Sequence, residues 1–231
     1  MQEYSFSYTW ERKSVKNINL RVKPDGQVYV SSPAFVSQAR IEDFLRARWE
    51  FVRGARERAA QRESAPCHTL AEGEKLPVWG VSHTVCHRIS TKPRVWCEQG
   101  ALILAMPDPA DESARARAFA RFAAAQVREV LSGMTAAYAP LFSVSPPEVT
   151  VRAMKRRFAS CFYMRDRICY STSLIFLPME CVELTVCHEL AHFRHHDHSA
   201  AFYAWLGANL ADHRQRRTAM KEIQLPRFAW D

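Results

Sequence analysis

His188-Glu189-Leu190-Ala191-His192, followed after five intervening residues by His198, is the stretch on which the reading of this chain turns. Two histidines four apart on an α-helix leave one face about 6 Å apart along the axis, close enough to share a metal ion. The glutamate beside the first can take a proton from a metal-bound water, and a third histidine completes a three-ligand zinc site with its fourth position open. Val182, Leu184, Val186, Cys187 and Leu190 surround the motif with apolar side chains, as a buried helix requires. The chemistry implied is that of a zinc hydrolase.

The third ligand follows from geometry. His195 falls on the same helical face as His188, but about 10 Å further along the axis, so a straight helix would hold it away from a metal between His188 and His192. For His198 to reach that metal, the helix must end after His192 and the chain must turn back. The stretch His195-His196-Asp197 suits such a turn, because His and Asp tolerate left-handed backbone better than most residues. This selects His198, with Glu222 or Glu183 as weaker substitutes. The implied metal set is His188, His192 and His198, the cofactor Zn2+, and the general base Glu189.

Composition narrows the setting. At 231 residues with 48% hydrophobic content, the chain can bury a sizeable core. No stretch approaches the ~18 apolar residues that span a bilayer, and the first residues lack the basic-then-apolar order of a signal peptide. Seven cysteines without a C-x-x-C pair indicate neither a disulfide framework nor a cysteine zinc site, so a cytoplasmic location is expected. The net charge of +8 gathers in arginine clusters at 46–62, 115–128, 152–167 and 214–217. Solvated helix faces account for most such clusters. The cluster just upstream of the metal helix also suits a nucleotide or nucleic acid.

Along the chain, Ile18, Leu20 and Val22 alternate with Asn19, Arg21 and Lys23, Pro24-Asp25-Gly26 marks a hairpin turn, and Val28-Tyr29-Val30 resumes, so residues 4–32 read as β-rich. Ser37 caps a helix whose apolar face is Ile41, Phe44, Leu45, the stem of Arg48, Val52 and Ala55. Residues 59–73 read as a connector. Strands are expected around 76–79, 81–89 and 101–106. A long helix over 109–138 carries a single stripe of Phe119, Phe122, Val127, Val130, Leu131, Met134 and Tyr138. Residues 149–154 and 167–174 read as two strands separated by a polar turn near 163–166. The metal helix follows Pro178, and a last helix spans 199–223. Together these predict an α+β fold: a helical core with a β-hairpin edge, and an N-terminal β-rich region with one helix over residues 1–108. The metal-binding core is expected over 109–231, the two parts forming one compact unit overall.

Three stretches carry a family resemblance: Arg21-Val22-Lys23-Pro24-Asp25-Gly26 with Val28, Val30 and Pro33; Met154-Lys155-Arg156-Arg157-Phe158-Ala159-Ser160-Cys161; and the histidine motif with His198-Ser199 and Phe202. On these the chain resembles the YgjP-like metallopeptidases, relatives of the SprT-like and WLM zincins. The resemblance implies a zincin-like hydrolase with ligands His188, His192 and His198 and base Glu189. The chain departs from the family pattern where Phe158 and Ala159 replace Trp and Gly, and where Ser171 stands for an asparagine. Phe158 loses an indole donor, and Ala159 does not share glycine's freedom of φ.

A metallopeptidase acting on polypeptide is the first reading of function, with Arg157, His196 and Tyr203, in that order, as candidate donors to the oxyanion. Arg157 is the candidate substrate-binding residue, its plainer role being an ion pair with Glu183 or a packed surface arginine. A metal-dependent nucleoside-triphosphate pyrophosphatase, also suggested by the resemblance, would use the arginines of 152–167 on phosphate. A nucleic-acid-associated SprT-like protease would dock its basic clusters on the backbone. No paired base near Cys161 marks it as a nucleophile.

Overall fold

Alternating Leu20 and Val22 against Val28 and Val30 produces the expected hairpin, with Gly26 at φ 77° in its turn. The computed structural model describes residues 7–23, 25–64 and 67–228. Residues 4–6 and Pro24, included in the N-terminal β reading, lie outside them. The chain divides into two compact units, residues 1–66 and 67–231.

In the first unit, β1 (Tyr8–Arg12), β2 (Asn19–Val22) and β3 (Val28–Ser32) form a sheet of order β1-β3-β2, with β1 parallel and β2 antiparallel to β3. The inward residues Val28 and Val30 share a core with Ile41, Leu45 and Val52. Ser37 caps α1 (Gln38–Arg46) by accepting a hydrogen bond from the Arg40 N–H. The single helix expected here is two, α1 and α2 (Trp49–Ser64). At the break the Arg48 N–H reaches only the Leu45 carbonyl, a tightened last turn, while the Arg48 guanidinium lies over the Phe44 ring.

The second unit contains β4 (Cys67–His68), β5 (Lys75–Val78), β6 (Val81–Ile89), β7 (Arg94–Glu98), β8 (Ala101–Met106), α3 (Glu112–Tyr138), β9 (Glu148–Arg152), β10 (Ala159–Phe162), β11 (Arg167–Ser171), α4 (Met179–Ala191), α5 (Ala200–Asn209), α6 (His213–Glu222) and β12 (Arg227–Phe228). Strands β5-β6-β8-β7 form one sheet, β10-β11-β9 a second, and β12 pairs with β4. A boundary is expected after residue 108. The observed division lies at 66/67, because Val85, Leu102, Leu104 and Met106 of the first sheet bury against Phe119, Val127 and Leu131 of α3 and Val182, Val186 and Leu190 of α4 in one core. The last helix expected over 199–223 is likewise two, α5 and α6. Among the described residues, no helix is long and apolar enough to cross a membrane.

The hairpin edge differs from expectation in an instructive way. The strands expected over 149–154 and 167–174, β9 and β11, are parallel neighbours, with Val149 beside Ile168. The antiparallel partner of β11 is β10, which forms one edge of the sheet, with β9 at the other. Ala159-Ser160-Cys161-Phe162 has no β-branched residue and no polar/apolar alternation, so nothing local announces a strand. The turn with Asp166 at φ 44° folds it onto β11.

Two tight hairpin turns have paired left-handed residues: Trp79-Gly80 (φ 52° and 78°) and Gln99-Gly100 (φ 49° and 80°). They differ in what lies beside them. A Cβ at Gly80 would fall 2.7 Å from the Pro178 Cα, at the start of α4, whereas a Cβ at Gly100 meets nothing within 4 Å. Gly80→Ala should therefore destabilise the second unit by about 2–4 kcal/mol, from backbone strain plus the clash. Gly100→Ala should cost only the strain, about 1–2 kcal/mol. Urea unfolding of both variants checks this; equal losses would show that the turn does not press on the metal helix.

Candidate metal and catalytic site

The site grows from the end of α4. Pro178 stands before its first turn, and the helix is buried on nearly every side, from Cys181 through Ala191. Its neighbours fix its position through polar contacts as well as packing. Thr135 of α3 shares a hydrogen bond with the buried Tyr170 hydroxyl of β11 (2.9 Å). Tyr138 of α3 donates to Glu183 of α4, and Arg216 of α6 pairs with the same carboxylate. Glu183, a substitute ligand in the sequence reading, is thus committed to holding three helices together. It is also not the partner of Arg157.

The helix ends where the ligand argument required. His192 is the C-cap of α4, and the N–H groups of Phe193 and Arg194 turn back to the carbonyls of Leu190 and Ala191. Ser199 then caps α5 by accepting from the Phe202 N–H. The reversal is made without the left-handed residue expected at 195–197, since none of these has positive φ. Successive tight helical turns do the work instead.

This path brings the three histidines together. Nε2 of His198 lies 3.0 Å from Nε2 of His188, and one nitrogen from each of His188, His192 and His198 lies within 4.8 Å of the others. Phe202, fully buried, places its ring 4.9, 4.7 and 5.1 Å from the three imidazole centroids and forms a common apolar floor. His192 Nδ1 donates to the His195 carbonyl (3.0 Å), leaving Nε2 with its lone pair for a ligand. His195 therefore takes part through its backbone, not its ring. Glu222, the other substitute, is exposed at the end of α6 and outside the group.

Burial, with smaller contributions from His192, His198 and Arg217, presses the pKa of His188 down to about 3, and burial also lowers that of His192. Both imidazoles are thereby kept neutral, the state in which they bind a metal. A tetrahedral zinc with 2.0–2.1 Å bonds would space the nitrogens about 3.4 Å apart, between the 3.0 Å of the closest pair and the 4.8 Å within which all three lie. The donor set fits such an ion.

Glu189 is 7% exposed. Burial raises its pKa to about 7, opposed by a hydrogen bond from the Cys161 backbone N–H and by the charge of Arg157. The carboxylate is thus tied to the edge strand β10. Arg157 is exposed and donates to Ser160 Oγ (3.0 Å). Cys161 is unsuited to nucleophilic work, because burial and then Glu189 push its thiol up to about 12. His196 donates from Nδ1 to the His192 carbonyl (2.9 Å), and its ring stacks on Tyr163 at 3.7 Å, joining the turn after β10 to the loop between the second and third histidines. Tyr203 lies with its ring 6.3 Å from that of His198, and its hydroxyl accepts from Arg217 (2.9 Å). Arg217 went unnoticed as an individual site residue in the sequence, where it was one arginine in a cluster. Only the packing of α6 on α4 brings it near His188.

The departures from the family pattern are accommodated. Ala159 has no positive φ, so glycine is not needed there for its backbone. Phe158 packs against the core. Ser171 is buried and hydrogen-bonds Ser173 Oγ (2.8 Å) and the Met154 carbonyl (3.4 Å), holding the loop that leads to Arg157.

The family described as YgjP-like, metallopeptidase domain, matches residues 16–223. Comparison with curated proteins gives no match. Among solved structures, the metallopeptidase zymogen of Pyrococcus abyssi abylysin is similar at 17% identity and a TM-score of 0.37, over 42% of this chain and 98% of that one. The family match spans both units and the whole histidine motif, and the chain belongs to the YgjP-like family of metallopeptidase domains.

Proposed function

We propose that this chain is a zinc-dependent peptidase of the H-E-x-x-H type, with His188, His192 and His198 as ligands and Glu189 as general base. The observation that carries the reading is the convergence of three imidazole nitrogens within 4.8 Å, beside a buried carboxylate tied to a free sheet edge. When bound, zinc supplies Lewis acidity that polarises a carbonyl and acidifies water.

The chain's own residues account for the rest. Glu189 accepts a proton from the attacking water and passes it to the leaving amine. The Cys161 N–H bond holds that carboxylate at the level of β10, whose outer edge presents backbone groups for an extended polypeptide to add as a strand. The same strand thus orients both substrate and base. His195, through its carbonyl, fixes the ring of His192. Arg157, beside Glu189 and exposed, is positioned to contact substrate. The odd, scattered cysteines suit a reducing compartment, and we place the protein in the cytoplasm.

The test compares chelated and zinc-reloaded protein on a denatured, labelled polypeptide and on nucleoside triphosphates. Zinc-restored cleavage of the polypeptide is expected. Zinc-dependent release of pyrophosphate from the triphosphates, with the polypeptide left intact, would overturn the reading.

A further inference from the structure

Two arginines beside the site stand out because neither is neutralised. Arg157, on the approach to β10, gives its guanidinium to Ser160 Oγ at 3.0 Å. Arg217, on α6, gives its own to the Tyr203 hydroxyl at 2.9 Å, with its charge 5.3 Å from the Tyr203 ring. Both side chains belong to exposed residues, and neither forms an ion pair among the described residues. Arg216, one position earlier, shows the contrast: it is mostly covered and pairs with both Glu183 and Asp212.

The two guanidinium groups flank the histidines from different elements. Ser160, the partner of Arg157, precedes the residue whose backbone N–H holds Glu189. Tyr203, the partner of Arg217, has its ring 6.3 Å from the ring of His198. Arg157 thus marks the sheet-edge side of the site and Arg217 the helical side. The nearby acidic groups form no ion pair with them, although the charge of Arg157 is felt at Glu189. Glu189 is buried, and the exposed Asp197 carboxylate accepts the Ser199 N–H at 3.2 Å. An arginine left with hydroxyl partners retains donors suited to a carboxylate.

We propose that the site selects acidic segments of polypeptide, with Asp or Glu side chains near the scissile bond held by Arg157 on the strand side and Arg217 on the helical side. The inference rests on the peptidase reading above. Two cations on two sides call for carboxylates along an internal stretch, which a single C-terminal carboxylate does not supply. Each contact is solvent-exposed and modest, so the discrimination is a matter of severalfold and weakens with salt.

The experiment digests a peptide library made from denatured proteins with the zinc-loaded full chain, and sequences the products by mass spectrometry. The wild type should show roughly fivefold enrichment of Asp and Glu over Lys and Arg within about three residues of cleaved bonds. An R157E/R217E double variant, with its metal content verified, should reverse the preference toward Lys and Arg. R157Q/R217Q, which keeps similar size without charge, should bring the ratio near one and serves if the reversed variant fails to fold. Equal use of acidic and basic residues by the wild type, or acidic enrichment that survives in the variants, would overturn the inference while leaving the peptidase reading intact. Absence of any cleavage by the zinc-loaded wild type would overturn both.

Discussion

Glu189→Gln is expected to leave zinc content unchanged and to lower the rate of polypeptide hydrolysis by about 10²–10⁴-fold, the usual worth of a positioned general acid–base group. The substitution isolates chemistry from structure for reasons visible in the site. Glutamine has nearly the shape of glutamate, and its amide oxygen can still accept the Cys161 N–H that holds the side chain. No proposed ligand is touched. What is lost is the capacity to take a proton from water and return it to the leaving amine. The checks are metal analysis of the purified variant and its kcat against wild type. A variant that keeps zinc and full activity would remove Glu189 from the mechanism.

His198→Ala is the second large effect, and its contrast with His195→Ala makes it informative. Removing the His198 imidazole leaves His188 and His192 alone, and zinc content after dialysis should fall from near one per chain to a small fraction of that. His195→Ala keeps the backbone carbonyl that accepts from His192 Nδ1, so zinc should be retained. The two histidines lie three positions apart in one short loop, and a sequence-level argument separates them only by assuming that the helix stops. Here it stops at His192. Equal zinc loss in both variants would mean that the loop, and not the His198 ring, controls the site.

The legible parts of this molecule are those set by short-range periodicity. The i,i+4 spacing of His188 and His192, the stripe from Phe119 to Tyr138, the Ser37 cap and the Gly26 turn each follow from interactions within a few residues, and all appear in the structure. Boundaries were less legible. The helix after Ser37 breaks at Ala47–Arg48 with neither proline nor glycine to announce it, because a stacked arginine and a tightened turn do the breaking. Strand β7 was unanticipated for a similar reason: Arg94–Glu98 mixes charged and apolar residues and earns its place by pairing with β8.

The sequence by itself therefore determined which side chains could share a metal and which glutamate stands beside them. Both depend on helix geometry, the same wherever the helix lies. The tertiary structure decided what surrounds them. Strand β10 takes its place beside α4 because β11 has two sides to pair, one taken by β9, and the turn at Asp166 brings Ala159–Phe162 back to the other. Phe202 becomes the floor of the triad, and Arg217 reaches its rim, only because α5 and α6 pack on α4. Contacts between residues distant in sequence depend on the packing of whole elements, and no local pattern in the chain encodes them.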